Sequence, residues 1–189
     1  MFLANREQCP PDMRIARGLL WCRLMTTRLT LYRPYLLSAA LGRRRWSDLN
    51  EPELNLMLKC MEVARDGVDI ITLDWFPNQI LSWNSTWHLF QIALVMVLAV
   101  VSDGEYAKRQ RCGDYIAKAL DLFVKMEPLS AGAARSREVI QVLFSAIEGQ
   151  ESLDGRESFD VAGASDFDFQ NMELIWGDEN WFGLFNESP

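Results

Sequence analysis

Leu89-Phe90-Gln91-Ile92-Ala93-Leu94-Val95-Met96-Val97-Leu98-Ala99-Val100-Val101 is apolar at every position except Gln91. The run is 13 residues long and stops at Ser102-Asp103. A bilayer-spanning helix takes about 20 such residues, so this stretch reads as the core helix of a globular protein, extending over Thr86 to Val101. A helix that is apolar all round has no solvent face. It has to be covered by neighbours on most sides, and the rest of the fold follows from what can cover it.

The flanking sequence supplies helices for that purpose. Asn50-Glu51-Pro52-Glu53 is a helix start: a capping Asn, Pro in the first turn and two carboxylates at the positive end of the dipole. The helix it opens carries Leu54, Met57, Leu58, Met61, Val63, Ala64, Val68 and Ile71 on a broad apolar face. Further upstream, Ile15, Leu19, Cys22, Leu29, Tyr32 and Leu36 recur at helical spacing between about Asp12 and Leu41, with Arg14, Arg17 and Arg28 off the stripe. Pro34 predicts a kink or break near Arg33. Downstream, Asp103 caps a helix with Tyr106, Ile116, Leu120, Phe123 and Val124, ending near Met126. After Pro128 a last helix carries Val139, Ile140, Leu143, Ala146 and Ile147. Ser85 or Asn84 is expected to cap the core helix, after a loop over Asp74 to Asn84. No period-2 alternation is long enough for a sheet, so the chain reads as an all-α bundle of about five helices.

Charge divides the chain into a partial helical domain over 1–148 and a tail over 149–189. Residues 1–150 hold 18 Lys and Arg against 16 Asp and Glu, whereas Glu151 to Pro189 holds ten carboxylates and one base, Arg156. The overall charge of −7 therefore sits in the tail. Phe167, Phe169, Trp176, Trp181, Phe182 and Phe185 are threaded through those carboxylates. Acidic-hydrophobic alternation is the composition of an activation segment that orders on its partner; the other reading is a tail whose aromatics pack back on the domain. A near-neutral body with an acidic tail also lacks the basic footprint that sequence-independent nucleic-acid binding needs.

The chemistry-bearing residues are sparse. Cys9, Cys22, Cys60 and Cys112 include no CxxC pair, and His88 is the single histidine, so no zinc set is spaced for coordination. Cys22, Cys60 and Cys112 lie on apolar faces and read as small buried hydrophobes in a reducing compartment. There is no Gly-rich phosphate loop, HExxH or G-x-S-x-G, and His88 has no assignable nucleophile, so no enzyme is expected. Arg43-Arg44-Arg45 reads as an import or phosphate patch, or as a solvated helix end. The aromatic loop is too apolar for a plain linker. Trp75, Phe76, Trp83 and Trp87 either pack over the helices or wall an effector pocket, with Arg33 pairing a buried carboxylate or an anionic ligand. The N-terminus has no signal-peptide pattern, and a soluble intracellular chain is expected.

Several short pieces, in order, resemble the C-terminal half of the regulatory (middle homology) domain of fungal binuclear zinc-cluster transcription factors. Leu31-Tyr32-Arg33-Pro34-Tyr35-Leu36 resembles its helix ending in an aliphatic-aromatic-Arg-Pro motif, and Cys60-Met61-Glu62-Val63-Ala64 its following helix. Trp87 leading into Phe90-Gln91-Ile92-Ala93-Leu94-Val95 resembles its aromatic-led buried helix. Ala119-Leu120, Ala134-Arg135 and Val139-Ile140 resemble the closing helices, and Trp181-Phe182-Gly183-Leu184-Phe185 the terminal acidic-aromatic box. The resemblance implies a nuclear, helical regulatory domain of an activator or repressor, often a homodimer, that restrains or relays the activity of its tail, sometimes on binding a small-molecule effector. The family's six-cysteine DNA reader and coiled coil are not in this sequence, so zinc and specific DNA binding are expected only of full-length members. The expected function is the regulatory and activation region of such a factor, acting on transcription machinery or co-regulators through the tail. The alternatives are a small-molecule-binding helical module and a truncated remnant without activity of its own.

Overall fold

The computed structural model describes residues 9–10, 13–42 and 44–151, and it is an all-α bundle with no strand among them. Six α-helices follow in chain order: α1 (Arg14–Leu41), α2 (Glu51–Asp74), α3 (Gln79–Ser102), α4 (Gly104–Arg109), α5 (Cys112–Met126) and α6 (Ala131–Glu151). Short 3-10 turns lie at Trp46–Asp48 and Glu127–Leu129. The chain divides into two units, Met1–Leu143 and Phe144–Pro189. The first contains α1 to α5 and α6 up to Leu143; of the second, the described residues are the last turns of α6.

The capping chemistry of α2 is as the sequence leads one to expect. The Asn50 side chain accepts from the Glu53 backbone N–H (2.9 Å), and Glu53 Oε2 accepts in return from the Asn50 N–H (3.3 Å). Two orphan donors are thereby satisfied at once. Arg44, from the expected basic patch, donates to the same Glu53 Oε2 at 2.6 Å, while Arg45 is exposed.

Four local expectations are corrected. The core helix begins at Gln79, not near Thr86, because Asn78 and not Asn84 or Ser85 caps it, accepting from the Leu81 N–H at 3.0 Å. Half of the expected aromatic loop, Trp83 included, is therefore helix. The expected single helix from Asp103 to Met126 is broken into α4 and α5, where Arg111 takes a left-handed conformation at φ 58°. No glycine marks that turn, so nothing in the sequence flags it. Of the kink or break expected at Pro34, the break does not occur: α1 is continuous, and Pro34 and Thr30, whose carbonyl loses its amide partner, are both exposed, so water can solvate it. Finally, Arg17 is buried, whereas Val124 and Val139, expected on apolar stripes, are exposed.

Packing is organised around α3. Sixteen of its 24 residues are buried, and from His88 to Ala99 the burial is unbroken, so every direction around the helix is covered. By length and composition α3 would be long enough to cross a membrane, but 78% of its apolar window is buried inside the bundle, which makes it a core helix. It packs against α1, α2, α4 and α5. α1 and α3 run parallel: a Cβ on Gly18 would meet Leu81 at 2.9 Å, Thr26 bonds His88, and Arg33 bonds Gln91. α2 runs against both, with Asp74 at Arg17 and its Gly67 so close to α3 that a Cβ there would meet Ile92 at 2.6 Å. α5 runs beside α2, where Asp69 accepts from Tyr115 (3.0 Å) and Lys118 (3.2 Å). It ends against the start of α3, where Thr86 Oγ1 lies 3.7 Å from Met126 Sδ.

Trp46 closes one end of this bundle. It is 0% exposed, its indole N–H donates to Ser102 Oγ at 2.9 Å, and its ring lies 5.2 Å from that of Tyr106. Its backbone N–H donates to Asp103 Oδ2 (3.3 Å), while Asp103 Oδ1 caps α4 by accepting from the Tyr106 N–H (3.1 Å). One side chain thus locks the α1–α2 connection onto the α3–α4 junction. Trp46→Ala is expected to cost about 3–5 kcal/mol of unfolding free energy, read as a lowered urea midpoint, whereas Trp83→Ala at the exposed indole should cost under about 1 kcal/mol.

Candidate functional site: a buried polar seam between the first and third helices

Core helices rarely bury a row of polar side chains, because each unpartnered group costs about 1–3 kcal/mol. The first half of α3 nevertheless buries Ser82, Ser85, Thr86, His88 and Gln91, and the facing side of α1 buries Arg17. Parallel packing of α1 and α3 brings Ser85, His88 and Gln91 to α1 along one seam, while Ser82 bonds the Trp75 indole and Thr86 faces Met126 and Ser130. At one end Arg17 Nη1 donates to Asp74 Oδ2 at 2.6 Å, both side chains being about nine-tenths buried. A paired buried guanidinium of this kind is stabilising only relative to its broken state, since desolvation offsets most of the attraction. Further along, Thr26 Oγ1 and His88 Nδ1 form a short hydrogen bond, and at the far end Arg33 Nη1 donates to Gln91 Oε1 at 3.1 Å.

Among the described residues, four buried side-chain atoms of α1 and α3 have no hydrogen-bond partner: Arg17 Nε, Trp21 Nε1, Asn84 Oδ1 and His88 Nε2. Residues 17 and 21 are one turn apart on α1, and residues 84 and 88 one turn apart on α3, so each pair shares a helix face. α1 contributes two N–H donors. α3 contributes a carbonyl oxygen and, in the tautomer whose Nδ1–H donates to the Thr26 hydroxyl oxygen, an imidazole acceptor at Nε2.

Burial keeps the imidazole and the thiol of the seam uncharged at neutral pH. Burial, reinforced by the Arg23 guanidinium, pushes the His88 pKa down to about 3. The Cys22 thiol is pushed up to about 11, by burial first; a hydrogen bond to Ser85 works the other way, and Asp74 raises it further. Burial likewise raises Cys60 to about 12 and Cys112 to about 11, which is the behaviour expected of cysteines that serve as small core residues. A neutral imidazole beside a protonated thiol is equipped for hydrogen bonding and gives no activated nucleophile. Among the described residues, no three His, Cys, Asp or Glu side chains gather in an arrangement that would hold a metal ion.

The residues expected from sequence to wall a pocket are distributed as follows. Trp75 and Phe76 are partly buried after the end of α2, and the Trp75 indole donates to Ser82 Oγ at 3.1 Å, on the edge of the seam. Trp87 is partly buried with its ring edge-on to His88 at 4.7 Å. Trp83 points to solvent and is 51% exposed. Arg33 engages Gln91, nine residues beyond Ser82 and so about 13 Å further along α3. It does not share a wall with Trp75. Phe167, Phe169, Trp176, Trp181, Phe182 and Phe185 lie outside the described residues. Sequence reading passed over Arg17, Trp21 and Asn84. The available signal was the i, i+4 repetition of polar-tipped side chains on two helices, which acquires meaning only once those helices are known to be neighbours.

No family model matches the chain, and neither a curated protein nor a solved structure matches it significantly.

His88 makes the stability of the fold depend on pH. Its folded pKa of about 3 lies below the ordinary 6.5, so the unfolded chain binds the extra proton. Stability is then complete above pH 6.5 and is lost as pH falls towards 3, by up to about 1.4 kcal/mol per unit. His88→Gln, which retains a polar partner for Thr26, should show a shallower loss between about pH 6.5 and 5 in urea unfolding than the parent. Parallel pH curves for the two proteins would refute the assignment.

Proposed function

We propose that this chain is the regulatory and activation region of a fungal-type transcription factor, working in the nucleus by binding other proteins. The observation that carries the reading is the segregation of charge: ten carboxylates interleaved with aromatic residues from Glu151 onward, following a near-neutral helical body. The all-helical architecture is consistent with the resemblance noted above. In this reading the body acts as scaffold. Trp176, Trp181, Phe182 and Phe185, with Phe167 and Phe169 before them, insert into a hydrophobic groove on the transcription machinery or a co-regulator, and the carboxylates keep the segment solvated and speed encounter with a basic surface. Zinc and DNA recognition belong to a reader outside this sequence.

The test is to tether residues 149–189, and separately the full chain, to an unrelated DNA-binding domain and measure a reporter. Strong activation by the segment, lost in Trp181→Ala/Phe182→Ala and only partly reduced in Asp178→Asn, is the expected outcome. A silent reporter in both fusions would sink the proposal.

Unpartnered buried donors on α1 (Arg17 Nε, Trp21 Nε1) and unpartnered buried atoms on α3 (Asn84 Oδ1, His88 Nε2) favour a second reading, a helical module that takes a small neutral polar molecule. Two donors and two acceptors with no net charge to neutralise suit a polyol or an amide better than an anion. A panel of such compounds should raise the melting temperature of the full chain, and Trp21→Phe, which removes one donor and keeps the ring bulk, should cancel that rise. Equal rises in both proteins would mean general solvent stabilisation and exclude the seam.

A further inference from the structure

The basic run Arg43-Arg44-Arg45 ends just before a hydroxyl, in Arg44-Arg45-Trp46-Ser47-Asp48, so arginines stand three and two positions ahead of Ser47. Guanidinium groups at fixed offsets before a hydroxyl are a charge pattern by which serine kinases choose substrates, because each can pair with a carboxylate on the kinase. A short motif alone decides little; how the fold presents it decides more. A kinase takes its substrate as an extended strand, which hydroxyls along an α-helix do not offer. Among the described residues, Ser47 is the one exposed serine or threonine that lies outside an α-helix. Arg44 and Arg45 are exposed as well. The backbone is already extended on either side of the 3-10 turn, at Arg45 (φ −67°, ψ 147°) and at Leu49 (φ −81°, ψ 147°).

Ser47 also follows Trp46, the side chain that fastens the α1–α2 connection to the α3–α4 junction. Ser47 Oγ donates to Asp48 Oδ1 at 3.1 Å, the Asp48 N–H donates to the Arg45 carbonyl at 3.0 Å, and the Trp46 N–H donates to Asp103 Oδ2 at 3.3 Å. A phosphate on Ser47 would carry a charge of about −1.5 to −2 and would replace a hydroxyl donor by acceptor oxygens. The bond to Asp48 then becomes a repulsion. While Trp46 stays docked, the phosphate also lies within about 10 Å of the Asp103 carboxylate, the screening length at about 0.1 M salt. Arg44 and Arg45 draw the phosphate, but they share its short connection and follow it whether Trp46 is docked or released. Arg44 must in addition leave Glu53 Oε2, which it holds at 2.6 Å. The attraction is common to both states and the repulsion from Asp103 belongs to the docked one, so the balance moves towards release.

We propose that Ser47 is a phosphorylation site for an arginine-directed serine kinase, and that the phosphate loosens the Trp46 clamp. Ser47 Oγ bonds to the γ-phosphorus of ATP as the bond from that phosphorus to the β-phosphate oxygen breaks. ADP leaves, and the hydroxyl proton passes to a carboxylate of the kinase. Trp46 is 0% exposed and stands directly before the hydroxyl, so it has to leave its place for the segment to enter a kinase cleft. The kinase therefore acts on a local opening of the connection, and the phosphate favours that opening afterwards.

The experiment incubates the full chain with a purified arginine-directed serine kinase and magnesium ATP, and reads the modified residues by mass spectrometry. A phosphate is expected on Ser47, absent there in Ser47→Ala, with the rate lowered at least about tenfold in Arg44→Gln/Arg45→Gln. All three positions are exposed, so the circular dichroism of these variants should match the parent. Hydrogen exchange followed by NMR should then show the Trp46 and Asp48 amides of the phosphorylated chain exchanging at least about threefold faster, by less as salt is raised. No phosphate on Ser47, a rate unmoved by the arginine pair, or unchanged exchange at both amides overturns the proposal. So does faster exchange of equal size all along α3, which would mean general destabilisation and not release of the clamp.

Discussion

The constraint on which the structure rests is the burial of α3 in every direction. An unbroken run from His88 to Ala99 has no residue that tolerates solvent, so neighbours must surround it, and α1, α2, α4 and α5 do so. Burial of apolar side chains at about 25 cal/mol per Å² is the driving force, and it is non-directional. Direction comes from a few close approaches. Gly67 lets α2 come up against Ile92, Gly18 lets α1 come up against Leu81, and Trp46 fastens the connection between α1 and α2 to the end of α3.

Within α3 the polar and apolar residues are unevenly distributed, and that unevenness places the chemistry. Its second half, Ile92 to Ala99, is wholly apolar, while Ser82, Ser85, Thr86, His88 and Gln91 occupy the first half. Four of these find a side-chain partner outside α3: Ser82 the Trp75 indole, Thr86 the Ser130 hydroxyl, His88 the Thr26 hydroxyl, Gln91 the Arg33 guanidinium. A buried polar network fixes which helices meet more sharply than apolar packing alone, because a mispaired polar group loses a hydrogen bond outright. The seam therefore reads as a register device along most of its length. Buried atoms of Arg17, Trp21, Asn84 and His88 on these two helices keep hydrogen-bonding capacity to spare. The imidazole and thiols in and around it are held uncharged by the same burial.

The sequence by itself determined the fold class, the core helix and the capped start of α2, because helical periodicity and capping are local properties of neighbouring residues. It also determined the segregation of ten carboxylates beyond residue 150, which needs only counting. It did not reveal the α4–α5 break, since a left-handed Arg111 carries no glycine to signal it, nor the early start of α3, where Asn78 after Pro77 was masked by the aromatics around it. The burial of Arg17 and the pairing of Thr26 with His88 and Arg33 with Gln91 were beyond its reach, because they depend on which helices run side by side and in what register. That choice is made by the packing of the whole bundle around α3, through contacts such as Arg17–Asp74, Thr26–His88 and Arg33–Gln91 between residues far apart in the chain, and only the tertiary structure holds it.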